Sequence, residues 1–566
     1  MQNRNFVSKD LKIKSWESIE SYFNDLDKRD INSINDLEKW MHDRSELDSV
    51  LEEDLAWRYI KMNCDTTDKS LTDDFNFFVT EIEPNISKYS NILDKKFIES
   101  KLINELDEKK YFIPIRTIKR KLELFREKNI PIFAMLQKEE QEYGAIAANM
   151  TIKFDGKEIT LQKAANYLKN SDRDFREKVY FLINNRRLTE VDNFNNILTK
   201  LIAKRDKIAR NADFKNYRDY KFVELNRFDY TIDDCIEFHK SIKSNVCPIV
   251  NKINKNRKES LQLDVLKPWD LDVDINSKPA LKPFKNTEEL IEKSIKCFTK
   301  VRPKYGEYLS KMNELGFLDL DARKGKAPGG FNYPLYESNI PFIFTNATGN
   351  LRDVETICHE GGHAIHSIVS STLELVDFKE LPSEVAELAS MSMELISMEH
   401  WDVFFENKEE LIRAKQNQLE GIISILPWVA IVDKFQHWLY LNPNHSVEER
   451  KQNWIEIAKE FGSNVVDYTG CEDFYANTWQ KQLHIFEVPF YYIEYAMAQL
   501  GAIAVWRNYK QNPEKTLDNY EKALKLGYSV TIPEIYETAG IKFDFSNEYV
   551  NELMNFVNEE LAELYK

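Results

Sequence analysis

Apolar positions recur at helical spacing along most of the chain, with Lys and Glu on the intervening faces. Over residues 1–145 this pattern predicts successive amphipathic helices with few breakers. One is expected at 114–128, where Ile115, Ile118, Leu122 and Phe125 share a face behind Pro114, a residue suited to a first helical turn. The regime changes at 151–161, where apolar and polar residues alternate around Asp155-Gly156, the signature of a hairpin closed by a type I′ turn. Helical spacing returns at Gln162 and runs to about Lys255. Two looser zones follow, 264–286 with Pro268, Pro279 and Pro283, and 324–336, rich in Gly and Pro. The apolar run 341–345 reads as a strand, and Ala347-Thr348-Gly349-Asn350 then turns the chain into another helix. The expected architecture is mainly α. A helical N-terminal lobe over 1–190 carries the hairpin, and a larger lobe over 191–566 sets a small β element beside long helices.

Length supports the division, because a single hydrophobic core stops growing near ~250–300 residues and this chain has 566. Only 16 Gly and 17 Pro exclude collagen-like, low-complexity and turn-rich all-β classes. A net charge of −16, with no basic run, excludes nucleic acid and anionic membrane surfaces as natural partners. The apolar stretches 421–432 and 488–506 are interrupted by Pro427 and Glu494, so both read as buried helices instead of membrane spans. The N-terminal residues hold no apolar segment of a secretory signal. Six cysteines without CxxC spacing point to a reducing, cytoplasmic setting.

The candidate chemistry lies at His359-Glu360-Gly361-Gly362-His363. Residues four apart on a helix have Cβ atoms ~5–6 Å apart, so His359 and His363 can converge on one metal ion. Glu360, rotated about 100° from His359, can face a water there as general base without ligating. About 0.01 such matches are expected by chance in a chain of this composition. The two glycines cost a helix roughly 2 kcal/mol, which close packing or function would explain. Catalytic zinc needs a third protein ligand and an open fourth position. The next helix, expected from about Pro382, offers Glu387 first and Glu384 next, with Glu380 outside the helix and Glu394 on the face of Glu387. Acids not used as ligands would orient the histidines or face solvent. His366, three residues after His363, is expected to orient or pack instead of ligating.

HEGGHAIH at 359–366 and ELASMSME at 387–394 resemble the oligoendopeptidase F and thimet oligopeptidase family of zinc metallopeptidases, and SMSME resembles its Pz-peptidase branch. The resemblance implies Glu387 as third ligand and one Zn²⁺ per chain. A second block, HIFEVPFYYIEY at 484–495, resembles the family's segment whose histidine and tyrosines approach the scissile carbonyl. Position by position it implies roles for His484, Tyr492 and Tyr495, and less closely Tyr491. An aromatic stripe at helical spacing otherwise signals core packing, although buried tyrosine hydroxyls seek partners. Weaker echoes at 171–178, 214–222 and 266–271 extend the likeness over roughly 150–550, while the first 150 residues match only in being helical. Gly361 stands where many members carry a bulkier residue.

The resemblance implies a zinc-dependent endopeptidase of short oligopeptides, with two lobes around a deep substrate channel. The strand at 341–345 is expected to pair with an extended peptide by β-addition. A zinc carboxypeptidase or dipeptidyl carboxypeptidase would need a cation for the substrate's terminal carboxylate, and no Arg or Lys identifies itself for that role in the sequence. A peptide-binding protein with a degenerate site would lack a ligand or the base, and all are present. The sequence carries no signal for an oligomeric state.

Overall fold

A computed structural model describes residues 4–276 and 278–566. The mainly helical reading holds, and the β structure is confined to two small sheets among the described residues. Strands β1 (Thr151–Phe154) and β2 (Lys157–Thr160) form the expected antiparallel hairpin. Asp155 and Gly156 both have positive φ, 48° and 74°, as a type I′ turn requires.

The second sheet joins β3 (Leu318–Asp321), β4 (Phe331–Tyr333) and β5 (Phe342–Ala347) in the order β3-β5-β4. Strand β5 is therefore central, parallel to β3 and antiparallel to β4. This overturns the expectation that 341–345 pairs with an extended peptide, because both of its hydrogen-bonding edges are taken. The outer strands of the sheet are β3 and β4. Residues 342–345 are all buried, as a covered central strand demands.

The chain divides into two compact units, each assembled from three stretches. The first holds residues up to Glu123, Leu281–Lys415 and Ala498–Phe543; the second holds Leu124–Ala280, Gln416–Met497 and Asp544–Lys566. Glu190 lies in the second, between helices Arg173–Leu188 and Val191–Asn211. In the first unit Phe23, Leu37, Trp40, Leu47 and Phe97 build a core, and Ile60, Phe342 and Phe344 build a smaller one at the sheet.

Two prolines behave differently from their sequence reading. Pro114 lies inside the helix Glu108–Leu124 and not in its first turn. The Asp107 carboxylate accepts the N–H groups of Lys109 and Lys110 at 2.9 Å and caps the helix earlier. Pro427 lies inside the continuous helix Lys408–Leu441, whose flanking Leu426, Val429 and Ala430 are buried. Among the described residues no helix is long and apolar enough to cross a membrane.

Four helices of the first unit matter to the site: α1 (Thr287–Val301), α2 (Leu351–Ser370), α3 (Ser383–Met398) and α4 (Pro513–Lys525). The turn from β5 into α2 is tied by Asp353, whose carboxylate accepts the N–H groups of Thr348, Gly349 and Asn350 at 2.7–2.9 Å. Asn350 and Asp353 complete a capping box, so α2 begins where the sequence places it.

Candidate metal centre

Helix α2 presents His359 and His363 one turn apart, with ring centroids 4.9 Å apart and planes at 86°. Helix α3 brings Glu387 against them: its Oε2 lies 3.3 Å from His359 Nε2 and 3.8 Å from His363 Nε2. One donor atom from each residue fits within a 4.8 Å cluster. A tetrahedral ion with bonds of ~2.0–2.2 Å separates its ligand atoms by about 3.3–3.6 Å. The donor set therefore fits a four-coordinate divalent ion. Neither Glu384 nor Glu380 belongs to it among the described residues.

The backbone makes this approach possible through two glycines. A Cβ on Gly362 would lie 2.6 Å from Ser390 Cα and 2.9 Å from the Ala389 carbonyl oxygen, so α3 packs directly on the α2 backbone. A Cβ on Gly361 would meet the Phe298 ring of α1 at 2.4 Å. Phe298 thus occupies the space that a larger residue at 361 would need.

Surrounding groups orient the donors. Glu394 Oε1 holds His359 Nδ1 at 2.7 Å, which turns Nε2 toward Glu387 and His363. Ser390 donates to Glu387 Oε2 at 2.9 Å. It sits three residues after Glu387 on the same helical face, a spacing that could have marked it in the sequence. Burial opposes charge on His359, yet the Glu394 hydrogen bond and the charges of Glu394, Glu387 and Glu360 carry its pKa up to about 9. His363 is driven well below the ordinary value by burial and by the neighbouring His359. Three carboxylates thus face two imidazoles, an excess of negative charge suited to a cation.

Glu360 is 7% exposed. Burial, then the charges of Glu387 and Glu394, raise its pKa to about 7, while His359 and a backbone hydrogen bond from Asn332 of β4 act the other way. His366 stands outside the donor group. It is buried against the Leu524 backbone of α4 without a well-formed hydrogen bond, and burial lowers its pKa to about 4.

In the second unit the rings of the other block cluster. His484 lies 4.6 Å from Tyr492, 5.9 Å from Tyr495 and 6.4 Å from Tyr491, between centroids. Phe490, just before the tyrosines, has φ 67°, a left-handed conformation that costs a bulky residue of order 1–3 kcal/mol. Its N–H donates to Gln436 at 2.8 Å, and its carbonyl accepts from Arg227, which also pairs with Glu494 at 2.8 Å. These contacts set where the helix Tyr492–Gln511 starts, and with it the tyrosines.

Gln482 is a residue that sequence reasoning missed. The Trp428 indole N–H, a donor only, reaches Gln482 Oε1 at 2.8 Å and so fixes which end of the amide faces His484. Gln482 Nε2 then donates to His484 Nδ1 at 2.6 Å, leaving the ring proton on Nε2. Burial lowers the His484 pKa to about 4, so the ring is neutral near pH 7, and raises that of Tyr492 to about 12. Replacing Gln482 by Glu reverses the polarity of this contact. The expected result, read from nitrogen shifts of the labelled histidine rings, is a proton on Nδ1 and a pKa that rises toward the ordinary histidine range.

A helical fold carrying two histidines and a glutamate on HExxH and neighbouring helices defines a class of metal-dependent hydrolase scaffolds. The sequence profile of Peptidase family M3 matches residues 166–555, and that of the Peptidase M3 N-terminal domain matches 6–125. The chain belongs to peptidase family M3. The second match corrects the expectation that the first 150 residues share only helical character with the family. The chain is 22% identical over 415 residues to oligopeptidase PepF of Bacillus subtilis, covering 72% of this chain and 60% of that protein. It is 23% identical over 405 residues to an oligoendopeptidase F homolog of Borreliella burgdorferi, covering 70% of this chain and 65% of that one. These matches thus span less than two thirds of the relatives' own lengths. Among solved structures, Pz peptidase A with inhibitor 2 superposes with a TM-score of 0.89 and 26% identity, covering 99% of both chains. Oligoendopeptidase F of Enterococcus faecium shares the fold at a TM-score of 0.64 and 15% identity, covering 97% of both. The resemblance to oligoendopeptidase F and the Pz-peptidase branch is thereby met.

Proposed function

We propose that this chain is a cytoplasmic zinc-dependent endopeptidase that hydrolyses internal bonds of short oligopeptides. The observation that carries the reading is the convergence of His359 Nε2, His363 Nε2 and Glu387 Oε2, with Glu394 on the far nitrogen of His359. These three side chains would hold one Zn²⁺, which supplies the Lewis acidity that makes water a nucleophile near neutral pH and polarises a carbonyl. Glu360 removes a proton from the attacking water and returns it to the departing amine. His484, through its Nε2–H, and the neutral hydroxyls of Tyr492 and Tyr495 donate to the carbonyl oxygen as it gains charge. Glu394 and Ser390 keep the ligands aimed. The names of the relatives, oligopeptidase and oligoendopeptidase, support short peptides as substrates. Scattered cysteines support the cytoplasmic assignment.

The test is cleavage of short quenched-fluorescent peptides by purified protein before and after chelation. Activity is expected to vanish on chelation and to return with one zinc per chain. Bound zinc without any cleavage would favour a peptide-binding protein instead.

A further inference from the structure

The second unit contains two cavities that share lining residues. The smaller, ≈ 230 Å³, has apolar walls that include Met150, Leu161, Phe194 and Phe474, and two cations, Arg187 and Lys481. The larger, ≈ 870 Å³, includes Trp428 and Asp272 and also reaches Lys481. Lys481 therefore stands where a ligand in one space could extend toward the other.

Among the described residues neither cation is paired with a carboxylate. Several other polar side chains of the smaller cavity are engaged elsewhere. Tyr143 donates to the Gln480 carbonyl at 3.0 Å, Thr478 to Tyr475 at 2.9 Å, Asn184 to Tyr180 at 2.9 Å and Asn477 to Asp473 at 2.9 Å. Burial lowers the Arg187 pKa, and the phenols Tyr143 and Tyr180 act the other way. Lys481 lies 4.7 Å from the Trp428 ring centre, and Asp272 acts on it without forming an ion pair. The surrounding protein, then the charge of Arg187, lower the Lys481 pKa to about 8, although the side chain stays exposed to solvent. Arg187 is half-buried while Lys481 keeps contact with solvent, and two like charges lining one mostly apolar recess repel each other, a cost that an entering anion offsets. A guanidinium can grip a carboxylate through two parallel hydrogen bonds, and the ammonium adds a third.

We propose that Arg187 and Lys481 form a carboxylate-binding subsite that anchors an oligopeptide by its C-terminal carboxylate or an acidic side chain. The inference rests on the peptidase reading for the class of ligand. A cavity of this volume admits a chain terminus or one side chain, and the adjoining space admits more of the peptide.

The experiment uses peptides of one sequence in three forms: a C-terminal acid, the C-terminal amide, and the amide with Glu replacing its last Gln. Calorimetry on zinc-loaded Glu360→Gln protein reads their Kd values. The acid, the Glu-amide or both should bind about tenfold more tightly than the neutral amide, and which form does so identifies the carboxylate's source. The preference should collapse when Arg187→Gln or Lys481→Gln is added. The two replacements act on different elements, so one readout survives if the other variant fails to fold. Equal binding of all three forms, no binding, or a preference that survives both replacements would overturn the proposal. Turnover of the neutral amide by the unaltered protein tests the peptidase reading separately, because that peptide carries no carboxylate at its end.

Discussion

Replacing Glu360 by Gln should lower kcat/KM for an internal peptide bond by about 10²–10⁴-fold while one zinc per chain is retained. The magnitude follows from the two tasks assigned to this carboxylate, removing the water's proton and returning it to the amine. Glutamine keeps the volume and can still accept the Asn332 N–H, but it cannot take up a proton near neutral pH. Glu360 is not among the three residues that would hold the metal, His359, His363 and Glu387, so the ion should stay, and metal analysis of the dialysed variant checks this. The pH profile adds an independent reading. Burial and two neighbouring carboxylates raise the Glu360 pKa to about 7 without a cation, and a bound divalent ion lowers it by favouring the carboxylate. The base works only when ionised, so activity falls as pH drops, with an acidic limb at or below about pH 7. In the residual activity of Glu360→Gln that limb should be missing. A variant that keeps more than a tenth of the rate, or keeps the limb, would remove Glu360 as the base.

Local codes were legible in the sequence and pairwise packing was not. Asp155-Gly156 specified its own turn because only a few residue types tolerate two successive positive φ values. The spacing of His359 and His363 marked the candidate metal pair for the same reason: both residues and their geometry lie within one helical turn. The third donor was harder, since four glutamates near Pro382 had equal chemistry and only the docking of α3 on α2 selects among them. The resemblance names Glu387 as the candidate, and the glycine contacts show how close packing of α3 on α2 brings that residue to the two histidines. Strand β5 was legible as a strand but not as a central one, because strand order depends on partners at 318–321 and 331–333 that its own sequence does not mention. Pro114 and Pro427 misled in a related way. Proline signals a boundary only when no stronger cap or buried face lies nearby, and Asp107 and the neighbours of Pro427 supply these. The Arg187–Lys481 recess was invisible for want of any local pattern. Its residues lie almost 300 positions apart, and its character depends on which carboxylates are absent around it.

Gly362→Ala should destabilise the protein by about 1–3 kcal/mol and weaken zinc binding by at least about tenfold, which is ~1.4 kcal/mol. The sign is informative, because helix propensity alone predicts the reverse: Ala is favoured over Gly inside a helix by about 1 kcal/mol. At 362 the added Cβ meets Ser390 Cα at 2.6 Å, the Ala389 carbonyl at 2.9 Å and Met393 Cβ at 3.0 Å. Two of those atoms are backbone, so no side-chain rotation relieves the contact and α3 itself must retreat from α2. The Ala389 carbonyl also accepts from the Tyr520 hydroxyl of α4 at 2.7 Å, a contact that such a retreat would strain. Any retreat carries Glu387, two residues before Ala389, away from His359 and His363, and a donor displaced by a few tenths of an ångström loses much of its bond. Gly421→Ala is the control. Gly421 is exposed within Lys408–Leu441, and nothing lies within 4 Å of its added Cβ, so this change should be neutral or stabilising by up to about 1 kcal/mol. Thermal unfolding with and without zinc reads both variants. If Gly362→Ala proves as benign as Gly421→Ala, the close approach of the two helices is not what brings the third donor to the pair.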